Sequence, residues 1–227
     1  MSAVAPLPHA PEAVIFDMDG LMLDSERAIL DCLRRAAAEQ GVDIEPDWWL
    51  RTIGHTDDVC RELLGARIGA EAAAALLERG HALYVAVAEA GVPHRPGIVE
   101  LLELLAAHEV PRAVATSTRR PLALRKLAAA DLLWRFDAVC TSSDVARPKP
   151  APDVYLLAAQ RLGVAPSCCL VLEDSPTGVR AALAAGMTPV QVPDLLAPDD
   201  TVRALGHRIV DSLADAQALL APWLRAR

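Results

Sequence analysis

The sequence predicts an α/β fold: a doubly wound parallel sheet with an all-helical block inserted after its first strand. Short apolar runs without polar alternation recur along the chain, as in strands buried on both faces. Helical patterns, several of them closing on glycine, lie between these runs, which is the rhythm of strand–helix crossovers. Residues from about 26 to 92 break that rhythm and show helices only.

The elements follow in order. "AVIF" (13–16) is the first strand. "ERAILDCLRRAAAEQ" places Ile29, Leu33 and Ala36 on one helical face and ends before Gly41. "DDVCRELLGARI" and "AEAAAALLERGHALYVAVAEA" continue the helical block, the latter up to Gly91. The two prolines and two glycines of "GVPHRPG" suit a linker back to the sheet. A helix over 97–108 precedes the strand "VPRAVATS" (110–117), which leads into the helix "LALRKLAAADLL". "FDAVC" (136–140) is the third strand, and a helix over 152–162 ends at Gly163. "CCLVLE" (168–173) is the fourth strand, followed by the helix "PTGVRAALAA" stopped by Gly186. "TPVQV" (188–192) and "HRIV" (207–210) complete six strands. The division expected is a sheet domain of 1–25 and 93–227 and a helical domain of 26–92.

Composition narrows the function. The net charge of -8 disfavours sequence-independent binding to nucleic acid or anionic lipid, which needs clustered Lys and Arg. No apolar run approaches the ~20 residues of a membrane span. The first residues lack the basic and apolar regions of a secretory signal. Five cysteines without CxxC spacing read as reduced thiols of a cytoplasmic protein. A monomer is expected. Twenty of the 22 basic residues are arginine, so Lys126 and Lys149 stand out. Lys149 lies among the strand-end loops. Lys126, in a helix away from the strand ends, is expected to tolerate arginine.

Ligands of open parallel sheets bind at the carboxyl ends of the strands. Asp17 and Asp19 leave the first strand; Thr116, Ser117, Thr118 and Arg119 leave the second; Lys149 follows the third; Glu173 and Asp174 end the fourth. Two bare carboxylates about 4 Å apart repel by roughly 4 kcal/mol at an effective dielectric near 20. Such a cluster protonates or binds a cation, and oxygen ligands with few carboxylates suit Mg²⁺ beside a substrate phosphate. Ordinary alternatives exist for each piece. Thr116 and Ser117 suit a helix N-cap, Ser175 caps a helix with Pro176 at its first position, and Asp24 and Ser25 suit the cap of the first inserted helix.

"DMDGLMLDS" resembles the first motif of the haloacid dehalogenase superfamily, "VATST" the second, "RPKPAPDVY" the third and "LEDSPTGVRAALAAGM" the fourth. All four occur in order over nearly the whole chain. The resemblance is greatest to the branch of β-phosphoglucomutase and small sugar-phosphate phosphatases. It implies a Rossmann-like core with a helical cap and a Mg²⁺-dependent phosphatase acting on a small phosphorylated metabolite, a sugar phosphate, through an aspartyl-phosphate. It implies that Asp17 is the nucleophile and Asp19 the general acid and then base. Thr116 and the region of Ser117 would bind the phosphoryl oxygens, and Lys149 would stabilise the transferring group. Asp17, the carbonyl of Asp19 and Asp174 would hold Mg²⁺, with Glu173 a further ligand or a support. His55 of the cap and Arg119 are candidate substrate contacts. The alternative is a phosphomutase of the β-phosphoglucomutase type. The histidine and arginine that serve that enzyme's cap and linker correspond here to Ile29 and Asp57, which weakens that reading. A dehalogenase would lack the carboxylate at Asp19.

Overall fold

The first strand, β1 (Ala13–Phe16), alternates between two cores. Val14 and Phe16 pack into one apolar cluster, Ala13 and Ile15 into another. This is how a strand buried on both faces behaves: successive side chains point to opposite sides, and each side needs its own helical layer. The computed structural model describes residue 7, residues 10–53 and residues 57–224.

The six expected strands are all present: β1, β2 (Arg112–Thr116), β3 (Ala138–Thr141), β4 (Cys169–Glu173), β5 (Thr188–Gln191) and β6 (Arg208–Ile209). Every pairing is parallel, in the order β3-β2-β1-β4-β5-β6. Parallel neighbours require crossovers, and helices supply them. Helices α4 (Ile98–Ala107), α5 (Arg120–Ala129) and α9 (Leu213–Leu224) cover one face, and the short α8 (Asp200–Arg203) lies between β5 and β6. Helices α6 (Asp153–Leu162) and α7 (Pro176–Ala184) cover the other. Strand order reverses between β1 and β4, and ligands of such sheets bind outside the carboxyl ends of the strands at that point.

Between β1 and α4 lie α1 (Ser25–Glu39), α2 (Asp57–Ile68) and α3 (Ala70–Ala90). They bury Leu30, Leu33, Leu64, Leu76 and Trp49 in a third apolar cluster. Leu195, from the loop after β5, packs against that cluster from the side of the sheet. Near the end of α3, Tyr84 and Ala88 join the core under α4 and α5 instead.

Some details differ from the sequence reading. Helix α5 ends at Ala129 rather than continuing to Leu133, because Asp131 turns into the left-handed region at φ 54°. Helix α9 was not anticipated; it buries Leu213, Ala216, Leu220 and Leu224 at helical spacing, with Pro222 inside its last turn. Asp24 stands at the N-cap of α1 without a side-chain bond to its backbone and instead pairs with Arg27 at 2.6 Å. Ser25 accepts a hydrogen bond from the Gly20 amide at 3.0 Å. Among the described residues no helix is long and apolar enough to cross a membrane.

Candidate active site

Asp17 is the first residue beyond β1, and its amide donates to the Leu172 carbonyl at 3.0 Å. Phe16 sits opposite Leu172 across the β1–β4 pair, so Asp17 emerges beside Glu173 and Asp174. The turn after Asp17 needs Gly20. Its φ of +77° favours glycine, and a Cβ there would collide with the Asp174 carboxylate. The DxDG spacing therefore lets the chain fold back at once while Asp174 closes over it.

Lys149, from the loop after β3, crosses the site. Its Nζ donates to Asp17 Oδ1 and to Glu173 Oε1, each at 2.6 Å. Glu173 is fully engaged: Tyr155 donates to Oε1 at 2.6 Å, and the Ser175 amide and hydroxyl donate to Oε2 at 3.0 Å. Any side chain at Gly178 would occupy the place of this carboxylate. Ser175 also caps α7 by accepting from the Gly178 amide at 3.1 Å, with Pro176 behind it. The carboxylate of Asp174 has neither hydrogen-bond nor ion-pair partner among the described residues; only its carbonyl accepts, from Gln191 at 2.9 Å.

The neighbouring charges shift one another's ionisation. Burial, opposed by Lys149 and reinforced by Glu173 and Asp19, pushes the Asp17 carboxyl up to about 7. Burial and the charges of Glu173, Asp17 and Glu26 drive Asp174 well above the usual carboxylate range. Burial also acts on Glu173, but Lys149, Tyr155 and Ser175 hold it below its ordinary value. Burial opposes the charge of Lys149, yet Asp17 and Glu173 keep its ammonium protonated beyond the normal range. Partial burial and the charges of Asp19 and Asp194 raise the half-buried Glu26 to about 7.

Asp19 reveals what the sequence reading missed. Thr118 Oγ1 donates to its Oδ2 at 2.6 Å, and the ammonium of Lys126 donates to its Oδ1. Lys126 was expected to lie away from the strand ends. It begins on α5, but its side chain runs inward, is 1% exposed, and reaches the site. A helical lysine has enough reach to cross a layer, and nothing in the linear pattern of α5 shows which way it points. Its scarcity was the available signal, and it applied to both lysines. Burial raises the Asp19 carboxyl, but Lys126, Thr118 and Ser25 outweigh it and hold it below its ordinary value.

The other candidates are placed as follows. Thr116 is buried at the end of β2, and its Oγ1 accepts from the Thr118 amide at 3.0 Å. It does not cap α5, whose N-cap position is Arg119. Ser117 and Arg119 are exposed beside it. His55 lies outside the described residues. Asp17, Asp19, Thr116, Glu173 and Asp174 thus gather at the carboxyl ends of β1, β2 and β4, with Lys149 reaching in from the loop after β3. Among the described residues no three His, Cys, Asp or Glu side chains are grouped to hold a metal. A cation here would take two carboxylates, Asp17 and Asp174, with carbonyl oxygen and water completing the shell, which is the habit of Mg²⁺.

The model of the haloacid dehalogenase-like hydrolases matches residues 11–186. The chain belongs to that family. A phosphorylated carbohydrates phosphatase of Thermotoga maritima is 34% identical over 92% of this chain and 90% of its own. Hexitol phosphatase B of Escherichia coli is 34% identical over 91% and 94%. A haloacid dehalogenase family hydrolase of Deinococcus radiodurans, solved with bound phosphate and sodium, superposes with a TM-score of 0.78. It is 32% identical and covers 94% of this chain and 97% of its own. This member of the family is an enzyme of the phosphatase kind.

Proposed function

We propose that the protein is a Mg²⁺-dependent phosphatase that hydrolyses a small sugar phosphate through an aspartyl-phosphate on Asp17. The observation that carries this reading is the pairing of Asp17 with Lys149 at 2.6 Å beside the unpartnered Asp174. Family membership and the phosphate held by a relative of the same fold support it.

An Asp17 oxygen attacks phosphorus, and the ester P–O bond breaks. The leaving oxygen takes a proton from Asp19, which takes one from bulk water when the substrate's phosphoryl dianion approaches and raises its proton affinity. Water then attacks phosphorus, its proton passes to Asp19, and the bond to Asp17 breaks, releasing inorganic phosphate. Lys149 stabilises the phosphoryl oxygens in both steps. The Thr116 hydroxyl, whose oxygen already accepts from its own loop, has its proton free for a phosphoryl oxygen. Asp17, Asp174 and the Asp19 carbonyl would hold Mg²⁺, which when bound neutralises the carboxylates and the phosphoryl charge. Glu173 supports Lys149 and is not a ligand, since both its oxygens are engaged.

Residues 26–92 form the cap in this reading, and 1–25 with 93–227 the core. His55 and Arg119 remain candidate contacts to the sugar. The five thiols fit a cytoplasmic setting. A phosphomutase is disfavoured by Ile29, a partly buried hydrocarbon side chain packed against apolar neighbours where that enzyme uses a histidine. The test is a panel of sugar phosphates assayed for released phosphate with Mg²⁺ and with EDTA. Mg²⁺-dependent release from sugar phosphates supports the reading. Release unaffected by EDTA, or isomerised sugar phosphate in place of free phosphate, overturns it.

A further inference from the structure

Lys126 has no place in the chemistry just described, yet it is among the most buried large side chains of the molecule. A lone ammonium is expensive to bury, and one this deep is found paired. Its partners are informative. One is Asp19, the proton-transfer group; the other is the Tyr84 hydroxyl on α3, which accepts from Nζ at 2.6 Å. The ammonium also lies 5.1 Å from the Tyr84 ring centroid.

These contacts determine the carboxylate's orientation. Lys126 holds Oδ1, and Thr118 holds Oδ2 at 2.6 Å. Each oxygen keeps a second acceptor direction, because a carboxylate offers about four. Asp19 sits on a turn that must reverse within a few residues, so its χ angles are not locked by a strand. Without Lys126 and Thr118 only Ser25 would restrain it against rotation toward bulk water.

We propose that Lys126 is the positioning residue of Asp19: its ammonium, fixed by Tyr84 of the helical segment, aims the carboxylate as proton acceptor for the water that hydrolyses the aspartyl-phosphate. This rests on the aspartyl-phosphate reading above. In the step concerned, the water oxygen bonds to phosphorus, the bond from phosphorus to the Asp17 oxygen breaks, and the water proton passes to Asp19. Because Tyr84 belongs to α3, the orientation of Asp19 also depends on how that helix is seated on α5.

The test separates this step from the first. With p-nitrophenyl phosphate the leaving group departs without a proton, so Asp19 is needed only for hydrolysis of the phosphoenzyme. The full-length protein with Mg²⁺ is quenched in acid during turnover, and protein-bound phosphate is measured alongside steady-state rate. For Lys126→Met we expect a steady-state loss on the order of 10²-fold, the scale of general base catalysis, with phosphoenzyme accumulating toward one per site. Tyr84→Phe, which removes one hydroxyl, gives a smaller loss with the same accumulation and keeps the proposal testable if Lys126→Met does not fold. A variant that slows without accumulating phosphoenzyme, or one that does not slow, overturns the positioning role. Asp19→Asn is run alongside. If Asp19→Asn accumulates phosphoenzyme and neither Lys126→Met nor Tyr84→Phe does, only the positioning role fails. If none accumulates, the aspartyl-phosphate reading fails with it.

Discussion

Glu173 holds the Lys149 ammonium at 2.6 Å in a place where the carboxylate is fully buried and the lysine side chain is 4% exposed. Such a pair fixes the lysine more firmly than a surface pair could, and removal of one partner leaves a buried charge. Glu173→Gln should therefore lower kcat by roughly 10–100-fold, the usual effect of losing a group that orients an active-site residue. Mg²⁺ activation should keep its midpoint. A titration in which the variant's Mg²⁺ requirement rises sharply would instead make Glu173 a ligand.

Lys149→Arg should lose on the order of 10²–10³-fold in turnover. Asp17, Glu173 and the Tyr155 ring, 4.7 Å from the ammonium, surround a compact cation. A planar guanidinium is larger and forks differently. Steady-state kinetics of the purified variant check this; near-normal kcat would reduce the lysine to a simple positive charge.

Gly178→Ala should be disproportionately harmful for a one-carbon change. The new methyl would fall on the Glu173 carboxylate, which has no room to retreat between Lys149, Tyr155 and Ser175. Overpacking of this kind costs about 1–3 kcal/mol. Thermal unfolding and activity should both decline, whereas Gly163→Ala, with no neighbouring atom in the way, should show only the strain of its left-handed backbone.

Stability should depend on pH in an unusual direction when Mg²⁺ is absent. Asp17 and Glu26 rise to about 7 from 3.8 and 4.5, and Asp174 rises as well. Between their ordinary and raised values the folded state binds more protons than the unfolded one, so stability falls as pH rises through this window. Asp19 and Glu173, both lowered, act in the opposite sense, but their contribution is lost only on acidification below the usual carboxylate range. In EDTA, Tm should be lower at pH 8 than at pH 5.5. Each kcal/mol corresponds to roughly 2–4 °C for a chain of this size. Mg²⁺ should restore Tm at pH 8, and Asp174→Asn should flatten the slope. A Tm in EDTA that climbs over this range would contradict the charge assignment.

The placement of the candidate site was legible in the linear pattern because its residues lie at strand ends. Asp17, Thr116 and Glu173 are fixed by where apolar runs stop, and parallel strands bring those stops to one edge. The inward course of Lys126 was not legible, because the linear pattern does not show the direction of a long side chain from a helix interior. Arginine in its place should not be tolerated, because the ammonium is 1% exposed and held between Asp19 and Tyr84. The engagement of Glu173 was hidden for a related reason. Tyr155 lies eighteen positions away on α6, and only the packing of that helix under the sheet brings its hydroxyl to the carboxylate. Helix α9 was obscured by its own composition, alanine-rich with a proline near its end.

The central claim is that Asp17 carries the phosphoryl group. Asp17→Asn should abolish turnover with the fold intact, but the direct measurement is chemical. Wild-type protein turning over a sugar phosphate with Mg²⁺ is quenched in acid, reduced with borohydride and mapped by peptide mass spectrometry. An acyl phosphate is converted by the reductant to an alcohol, so the account predicts that modification at Asp17, dependent on substrate and absent with EDTA. Modification at another carboxylate, or none in either wild type or the slow Asp19→Asn variant, would contradict it.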